Sequence, residues 1–232
     1  AIPRQTKFIL ITHGHIDHLG RRVADPRFLN GWRSITVAAT VCVLMIILLN
    51  FPLPVRNTST QLYVGQGNCN VTITDAGEVY VFDGGSTSEK NLGKYTILPY
   101  LRYSGLPVID GIFISHSVED HLSGCIELIE NSDKWGLEIR GVYITPHMRA
   151  DNTDNTANLM EACDKARIPV YDLKAGDSWQ SGSTLFTCLH PAPEYIPEDP
   201  NSGSMCVLAE FEGEAGADSY TLLIPGDVQG TG

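Results

Sequence analysis

The sequence predicts an α/β protein, a two-sheet sandwich faced by helices on both sides and preceded by one membrane-spanning helix. Three observations predict it. Apolar runs of strand length alternate with amphipathic helical segments up to residue 170, and short strands alone follow. A nearly unbroken apolar run fills residues 35–51. A short buried-type strand, Ile112-Phe113-Ile114, runs into a loop holding His116, Asp120 and His121.

Residues 1–34 form a basic segment, with Arg4, Lys7, Arg21, Arg22, Arg27 and Arg33 against Asp17 and Asp25. KFILIT at residues 7–12 reads as a strand, and it leads straight into HGHIDH. His13, His15, Asp17 and His18 form a metal-ligating pattern there, in a segment too short to bury a core of its own. It reads as an isolated array.

Residues 35–53 read as a transmembrane helix. Asn50 is the only clearly polar residue of the apolar run besides Thr36 and Thr40. Trp32 stands at one end, Pro52 and Pro54 at the other, and the length is about that of a bilayer core. No small-residue cleavage site follows Leu49, which argues against a signal peptide. The arginine-rich flank predicts a cytoplasmic N-terminal side and an extracytoplasmic position for residues 55–232. Residues 54–60 read as a polar linker.

Residues 61–232 read as the folded domain, incomplete at its C-terminus. The chain begins at Ala1 rather than Met, and reads as part of a longer protein. Strands are expected at residues 61–64 and 70–74 around the GQGN turn, and at 79–82 after Asp75-Ala76-Gly77. Residues 91–104 read as a helix with Ile97, Leu98 and Leu101 inward, although Pro99 interrupts it. Helices follow at 122–131 and 156–166, the second ended by Pro169. Strands are expected at 141–145, 170–173, 184–189, 205–211 and 220–224.

The formal net charge is −11, and most of the acid lies beyond residue 75. That argues against a broad electrostatic nucleic-acid surface but leaves room for a local basic groove. None of the six cysteines forms a CxxC pair, so a cysteine-rich zinc site is not indicated. They read as buried free thiols, with room for one bridge if the domain is extracytoplasmic.

His with Asp is the ligand set of a hydrolytic zinc or manganese site, and a rigid apolar strand can hold such a loop in place. Asp83 ends the strand at 79–82, where its carboxylate can orient the ligand loop by accepting backbone N–H groups. Gly84 and Gly85 permit a tight approach. Asp227 follows Leu222-Leu223-Ile224 in a Pro-Gly-Asp turn. For Asp83 and Asp227 the plain alternative is a turn carboxylate. For His190 it is a packed strand-end imidazole, and His147, after a proline, reads as a loop residue.

Four stretches line up in order: VGQGNC (64–69), VFDGGST (81–87), SHSVEDHLSG (115–124) and LHP…NSGS…LLIPGD (189–227). Together they resemble the C-terminal metallo-β-lactamase-like domain of the ComEC-type DNA-internalisation proteins of natural competence. The resemblance runs from about residue 35 onward, and GGSTSEKNLGKYTILPYLRYSGLPVIDGIFISH is its most specific part. HGHIDH by itself resembles the main ligand loop of the metallo-β-lactamase superfamily.

The resemblance implies an αββα sandwich holding one or two divalent ions, Zn or Mn. It implies His116 on one metal, Asp120 and His121 on the other, Asp227 bridging them, and catalysis that depends on Asp120. His190 and Asn201 both fall near the third motif, and either could supply the middle ligand. The implied activity is cleavage of one DNA strand at the cell membrane while the other passes inward. The implied partners are single-stranded DNA, the membrane and other segments of the same channel protein. The sequence departs from the pattern at Val118, where most of the superfamily has a second His, and at Asn68 and Tyr63, where acids are usual. The family's last histidine stretch falls beyond Gly232. Two other functions therefore stand beside the first. One is a degenerate, non-catalytic module, and the other a metallo-hydrolase acting on a lactone or thioester.

Overall fold

The structure, a computed structural model, describes residues 26–50, 57–151, 153–213 and 219–229. The chain divides into two units, Ala1–Phe51 and Pro52–Gly232. The strand expected at 7–12 and the array of His13, His15, Asp17 and His18 lie outside the described residues.

The first unit contributes helix α1 (Pro26–Asn50). Its Gly31–Leu48 stretch has a mean hydropathy of 1.9 and is long and apolar enough to cross a membrane. At 1.5 Å per residue the helix is roughly 37 Å long. Its side chains described between residues 31 and 48 are exposed. Thr36 donates its hydroxyl to the Arg33 carbonyl at 2.9 Å, so this polar side chain is satisfied by the helix itself.

The second unit opens with β1 (Thr58–Gln61), β2 (Asn70–Ile73) and β3 (Val79–Phe82). A five-residue π-helical turn (Gly93–Ile97) then feeds α2 (Leu98–Tyr103). β4 (Val108–Ile109), β5 (Gly111–Phe113), α3 (Glu119–Glu130), α4 (Ser132–Trp135), β6 (Glu138–Ile139) and β7 (Val142–Ile144) follow. The chain continues through α5 (Pro146–Ala150), α6 (Asp154–Ala166), β8 (Val170–Asp172), β9 (Ser178–Ser181), β10 (Thr184–His190), β11 (Cys206–Phe211) and β12 (Tyr220–Ile224).

One six-stranded sheet has the order β1-β2-β3-β5-β7-β8. Its first three strands are antiparallel, and β3, β5, β7 and β8 run parallel. β3, β5 and β7 are apolar and largely buried, as expected where both faces are covered, while β8 at the edge is mostly exposed. The second sheet, β12-β11-β10-β9, is antiparallel throughout. A small parallel pair, β4-β6, stands apart.

Two cores result. In the first, Val71, Val81, Ile112 and Val142 pack against helical Ile97, Leu101, Leu128, Ile129 and Leu159. In the second, Tyr80, Phe82 and Phe113 meet Phe186, Val207, Ala209 and Phe211 across the two sheets. Rings dominate this seam: Phe113 stacks on Tyr143 at 4.6 Å and on Trp179 at 4.8 Å, and Trp179 stacks on Phe186 at 4.9 Å. No helical residue belongs to this second core among the described residues. The outer face of the second sheet leaves Leu185, Leu189 and Leu223 exposed, so the described layers run helix, sheet, sheet.

Several element boundaries differ from the sequence reading, each for a local reason. The first strand lies at 58–61, not 61–64, and takes residues 58–60 from the expected linker. Ser59 Oγ bonds Asn70 Oδ1 and Thr72 Oγ1, both at 3.0 Å, so hydroxyls rather than apolar side chains seat it. The helix expected at 91–104 is split, because Pro99 falls in the first turn of α2, where a missing N–H is harmless. α3 starts at Glu119 instead of residue 122, with Glu119 and Asp120 favourably placed at its N-terminal turn. β4, α4, β6, α5 and β9 were not expected; the first three are only two to four residues long. SWQS lacks the branched residues of a strand, and α5 is a five-residue turn capped by Thr145 Oγ1, which accepts the Met148 N–H at 3.0 Å. All six cysteines are free, so the bridge the sequence allowed is not formed.

Candidate metal centre

β3 and β5 are adjacent and parallel, so residues just past their carboxyl ends share one edge of the sheet. Asp83 directly follows β3. Ser115 and His116 follow β5 by two and three residues, and both are buried. Asp120 and His121 come next, in the first turn of α3.

Asp83 organises the edge. It adopts a left-handed backbone at φ 58° and is 1% exposed. Its Oδ1 accepts the Ser115 N–H at 2.7 Å. Its Oδ2 accepts the Ser115 hydroxyl at 3.0 Å, the Asn68 amide at 2.9 Å and His121 Nδ1–H at 2.9 Å. The sequence reading had it orient the loop by accepting backbone N–H groups; Ser115 supplies one, and side chains supply the other three donors. A carboxylate on Nδ1 fixes the imidazole's tautomer and leaves Nε2 with its lone pair outward.

His121 Nε2 looks toward Asp227 Oδ2 at 3.4 Å and Asp120 Oδ2 at 3.9 Å. The His116 ring lies 4.2 Å from that of His121, centroid to centroid. Its Nδ1 has Ser115 Oγ at 2.9 Å and Ser204 Oγ at 3.2 Å, while its buried Nε2 has no partner. Asp120 Oδ1 is buried and unpartnered too. Ligand atoms of His116, His121 and Asp227 all lie within 4.8 Å of one another.

Burial and the neighbouring His121 lower the proton affinity of His116, despite the opposing charges of Asp83, Asp227 and Asp120. For His121 burial also acts downward, but the Asp83 hydrogen bond and the same three carboxylates outweigh it and raise the pKa. Close backbone approach holds the ligand loop in place. A Cβ on Gly85 would stand 2.4 Å from backbone atoms of Glu119, Asp120 and His121. Asn68 N–H donates to the Asp120 carbonyl at 3.1 Å, and Gly84 N–H to that of His121 at 2.8 Å. On the far side, Gly226 (φ +56°) turns the chain against Ser115, and Asp227 N–H donates to Ser204 Oγ at 3.3 Å.

A cavity of about 210 Å³ opens beside His116. Ser117, His147, Met148, Asp151 and Asp199 are among its walls. His147, expected in a loop, therefore sits in α5 and faces the same cavity as His116. His190 lies outside the three-residue group; its Nδ1 is bonded to the Ser204 carbonyl at 2.9 Å and its ring meets Tyr195. Asn201 lends its carbonyl to Ser204 N–H at 3.0 Å. The NSGS stretch thus brings Ser204 to the centre, a residue the sequence reading did not single out within that motif. Val118 is half-buried at the start of α3.

The residues present fit a divalent metal ion. His116 Nε2 and Asp120 Oδ1 are desolvated without a hydrogen bond, an arrangement that is costly unless a cation or donor meets them. Two imidazoles and two carboxylates suit Zn or Mn. The nearby thiols do not compete: burial pushes Cys69 and Cys125 well above the usual thiol range, so they stay protonated.

No family profile matches the chain. ComE operon protein 3 of Bacillus subtilis (strain 168) is 22% identical over 206 residues, covering 82% of this chain and 25% of that protein. With the motif order and the two-sheet architecture, this relative fits a ComEC-type metallo-β-lactamase-like domain. The chain spans about a quarter of the relative's length. Solved structures similar to it include MEM-A1, a subclass B3 metallo-β-lactamase from a soil metagenome library. The identity there is 13%, the coverage 72% of this chain and 59% of that one, and the TM-score 0.46. The Rm3 metallo-β-lactamase is 14% identical, with coverage of 71% and 57% and a TM-score of 0.47.

Proposed function

We propose that this chain is the metal-dependent phosphodiesterase domain of a membrane channel for DNA uptake, tethered by α1, extracytoplasmic, and acting on single-stranded DNA. The observation that carries the reading is the meeting of His116, its buried Nε2 unpartnered, with His121 and Asp227, and of Asp120 Oδ2 3.9 Å from His121 Nε2, in a chain whose relative is a ComE operon protein. His116, Asp120, His121 and Asp227 hold one or two ions. A divalent ion there supplies Lewis acidity toward a phosphodiester oxygen and a water of lowered pKa.

The chain's own residues do the rest. Asp83 keeps His121 in the tautomer that presents Nε2. Burial keeps His116 neutral and ready to ligate. Ser115 and Ser204 orient the His116 ring through Nδ1. His190, seated on the Ser204 carbonyl, is assigned to positioning Ser204 rather than to the ligand set. Asp227 is about half exposed, its side chain 45% accessible, so it forms the rim that a substrate meets first.

The test uses the full chain in detergent, loaded with Mn²⁺ or Zn²⁺, on single-stranded DNA beside thioester and lactone substrates. Metal-dependent DNA cleavage that falls about 100-fold or more in Asp120→Ala is expected. Unchanged cleavage in that variant overturns the roles, and hydrolysis of the thioester or lactone alone moves the chain to another hydrolase class. Val118 favours a second reading, a non-catalytic module, since it removes one nitrogen from the first metal position. Stoichiometric metal in the purified chain counts against that reading.

A further inference from the structure

We infer that the surface made by the 63–67 loop, residues 88–92, the π-helical turn and α2 is a track on which single-stranded nucleic acid is held and led toward the metal centre. It rests on the phosphodiesterase reading for the class of substrate, and it concerns residues outside the metal centre. The charge pattern is its first support. No Lys or Arg occurs after Lys174, and the body as a whole is acidic. Arg140, Arg149 and Lys165 are taken up by Asp110 and Glu138, by Asp172 and by Glu161. Six other cations of the second unit, Lys90, Lys94, Arg102, Lys134, Arg167 and Lys174, are exposed and have no ion-pair partner among the described residues. Lys90, Lys94 and Arg102, the last with a hydrogen bond to the Trp135 carbonyl at 3.1 Å, share one short tract of chain with exposed rings.

Exposed rings supply the second support. Tyr63 and Tyr103 are each 87% exposed and Tyr95 is 65% exposed. Tyr95, Arg102 and Tyr103 fall on the outward face of the turn and α2, while Ile97, Leu98 and Leu101 point into the core. Lys94 Nζ sits 4.8 Å over the Tyr95 ring, so cation and π-face are presented together. Cations alternating with free aromatic faces are what a single strand requires: phosphates meet the cations and unstacked bases lie on the rings. A duplex keeps its bases stacked and offers the rings nothing.

Connectivity to the centre is the third. Tyr100 OH bonds Thr60 Oγ1 at 3.0 Å, which ties α2 to β1. The Gln66 carbonyl accepts the Thr87 N–H at 2.9 Å, and Gln66 N–H donates to Ser88 Oγ at 2.8 Å. Asn68 N–H then reaches the Asp120 carbonyl at 3.1 Å. Hydrogen-bonded backbone thus runs from the basic tract to the ligand loop. An anionic lipid surface is the rival occupant. Its recognition calls for Leu, Phe or Trp to enter the acyl layer, and the large hydrophobics exposed on this tract are all tyrosines.

The experiment measures fluorescence anisotropy of the full chain in detergent with fluorescein-labelled dT20, with EDTA present so that no cleavage occurs. The chain should bind, with affinity falling as salt rises. The variant Lys90→Gln/Lys94→Gln/Arg102→Gln should bind at least tenfold more weakly, with the log–log salt slope reduced by about 2, at roughly 0.7 per lost contact on a single strand. The variant Tyr95→Ala/Tyr103→Ala should also lose about tenfold or more, with the slope unchanged and with no loss on an abasic 20-mer. All five positions are exposed, and circular dichroism checks that the variants fold. No binding of dT20 by the parent chain, or undiminished binding by both variants, overturns the inference. So does loss of binding to phosphatidylglycerol vesicles with dT20 binding intact. Binding is read without metal, so these losses together with absent cleavage by the Mn²⁺- or Zn²⁺-loaded chain would overturn the catalytic reading and leave the track standing.

Discussion

Asp83 is a buried carboxylate with four donors on it, one of them His121 Nδ1–H. Truncation in Asp83→Ala strands the Asn68 amide, the Ser115 N–H and hydroxyl and the His121 Nδ1–H in a desolvated pocket. We expect a loss of about 3 kcal/mol in denaturant unfolding and a 10–100-fold weaker metal affinity by competition with a chelating dye. Gly85→Ala should act on the same loop by a different route, since its methyl would collide with the backbone of Asp120 and His121. Its expected outcome is loss of metal binding even where a folded chain is recovered, read by metal content. At this scale the sequence was legible where chemistry is concentrated in unusual residues. Spacing after strands singled out His116, Asp120, His121, Asp83 and Asp227, and the fold brings them to one edge of the sheet. Ser115, Ser204 and Asn68 could not be found that way, because a serine or asparagine in a loop is ordinary until the fold brings it to an imidazole. His147 was misplaced because one turn of helix after a proline leaves no periodicity to read.

The element that joins the two sheets is the aromatic seam, and β9 supplies its indole. Phe186 touches Tyr80, Phe82, Trp179 and Phe211, and is fully buried. Phe186→Ala should cost about 3–5 kcal/mol by the same unfolding assay, whereas Leu223→Ser, on the open outer face, should change stability by no more than about 0.5 kcal/mol. The strands of both sheets were readable as apolar runs, down to the limits of β12. β9 and β1 were not, since Ser178-Trp179-Gln180-Ser181 and Thr58-Ser59-Thr60-Gln61 are held by pairing and hydroxyl contacts rather than by apolar alternation. The early start of α3 places Asp120 and His121 in a helical first turn, so helix geometry fixes both, and Asp83 holds His121 as well.

The chain divides into a unit holding the apolar α1 and an acidic body. The chain should partition with membranes and resist alkaline extraction, and release into the soluble fraction would count against α1 as an anchor. Removing bound metal should lower the melting temperature. Metal at 100 times its dissociation constant stabilises the folded chain by about 2.7 kcal/mol, and EDTA forfeits that amount. Equal melting curves with and without EDTA would mean that the cluster holds no ion. The sandwich class was legible from the change between alternating and strand-only halves. The placement of cations was only half legible: the composition announced an acidic body, but the nearness of exposed Lys90, Lys94 and Arg102 to exposed tyrosines emerges only with the burial of each residue.

Trp179 has a practical consequence. Its indole lies flat against Phe113 and Phe186, and Phe113 sits three residues ahead of His116. The emission of this one fluorophore therefore reports on the strand that carries the ligand loop. Parting of the sheets would shift it to longer wavelength while the helical signal in the far ultraviolet persists. With Trp32 and Trp135 replaced by Phe, an optical titration could follow the loop's settling as metal is added, without a label.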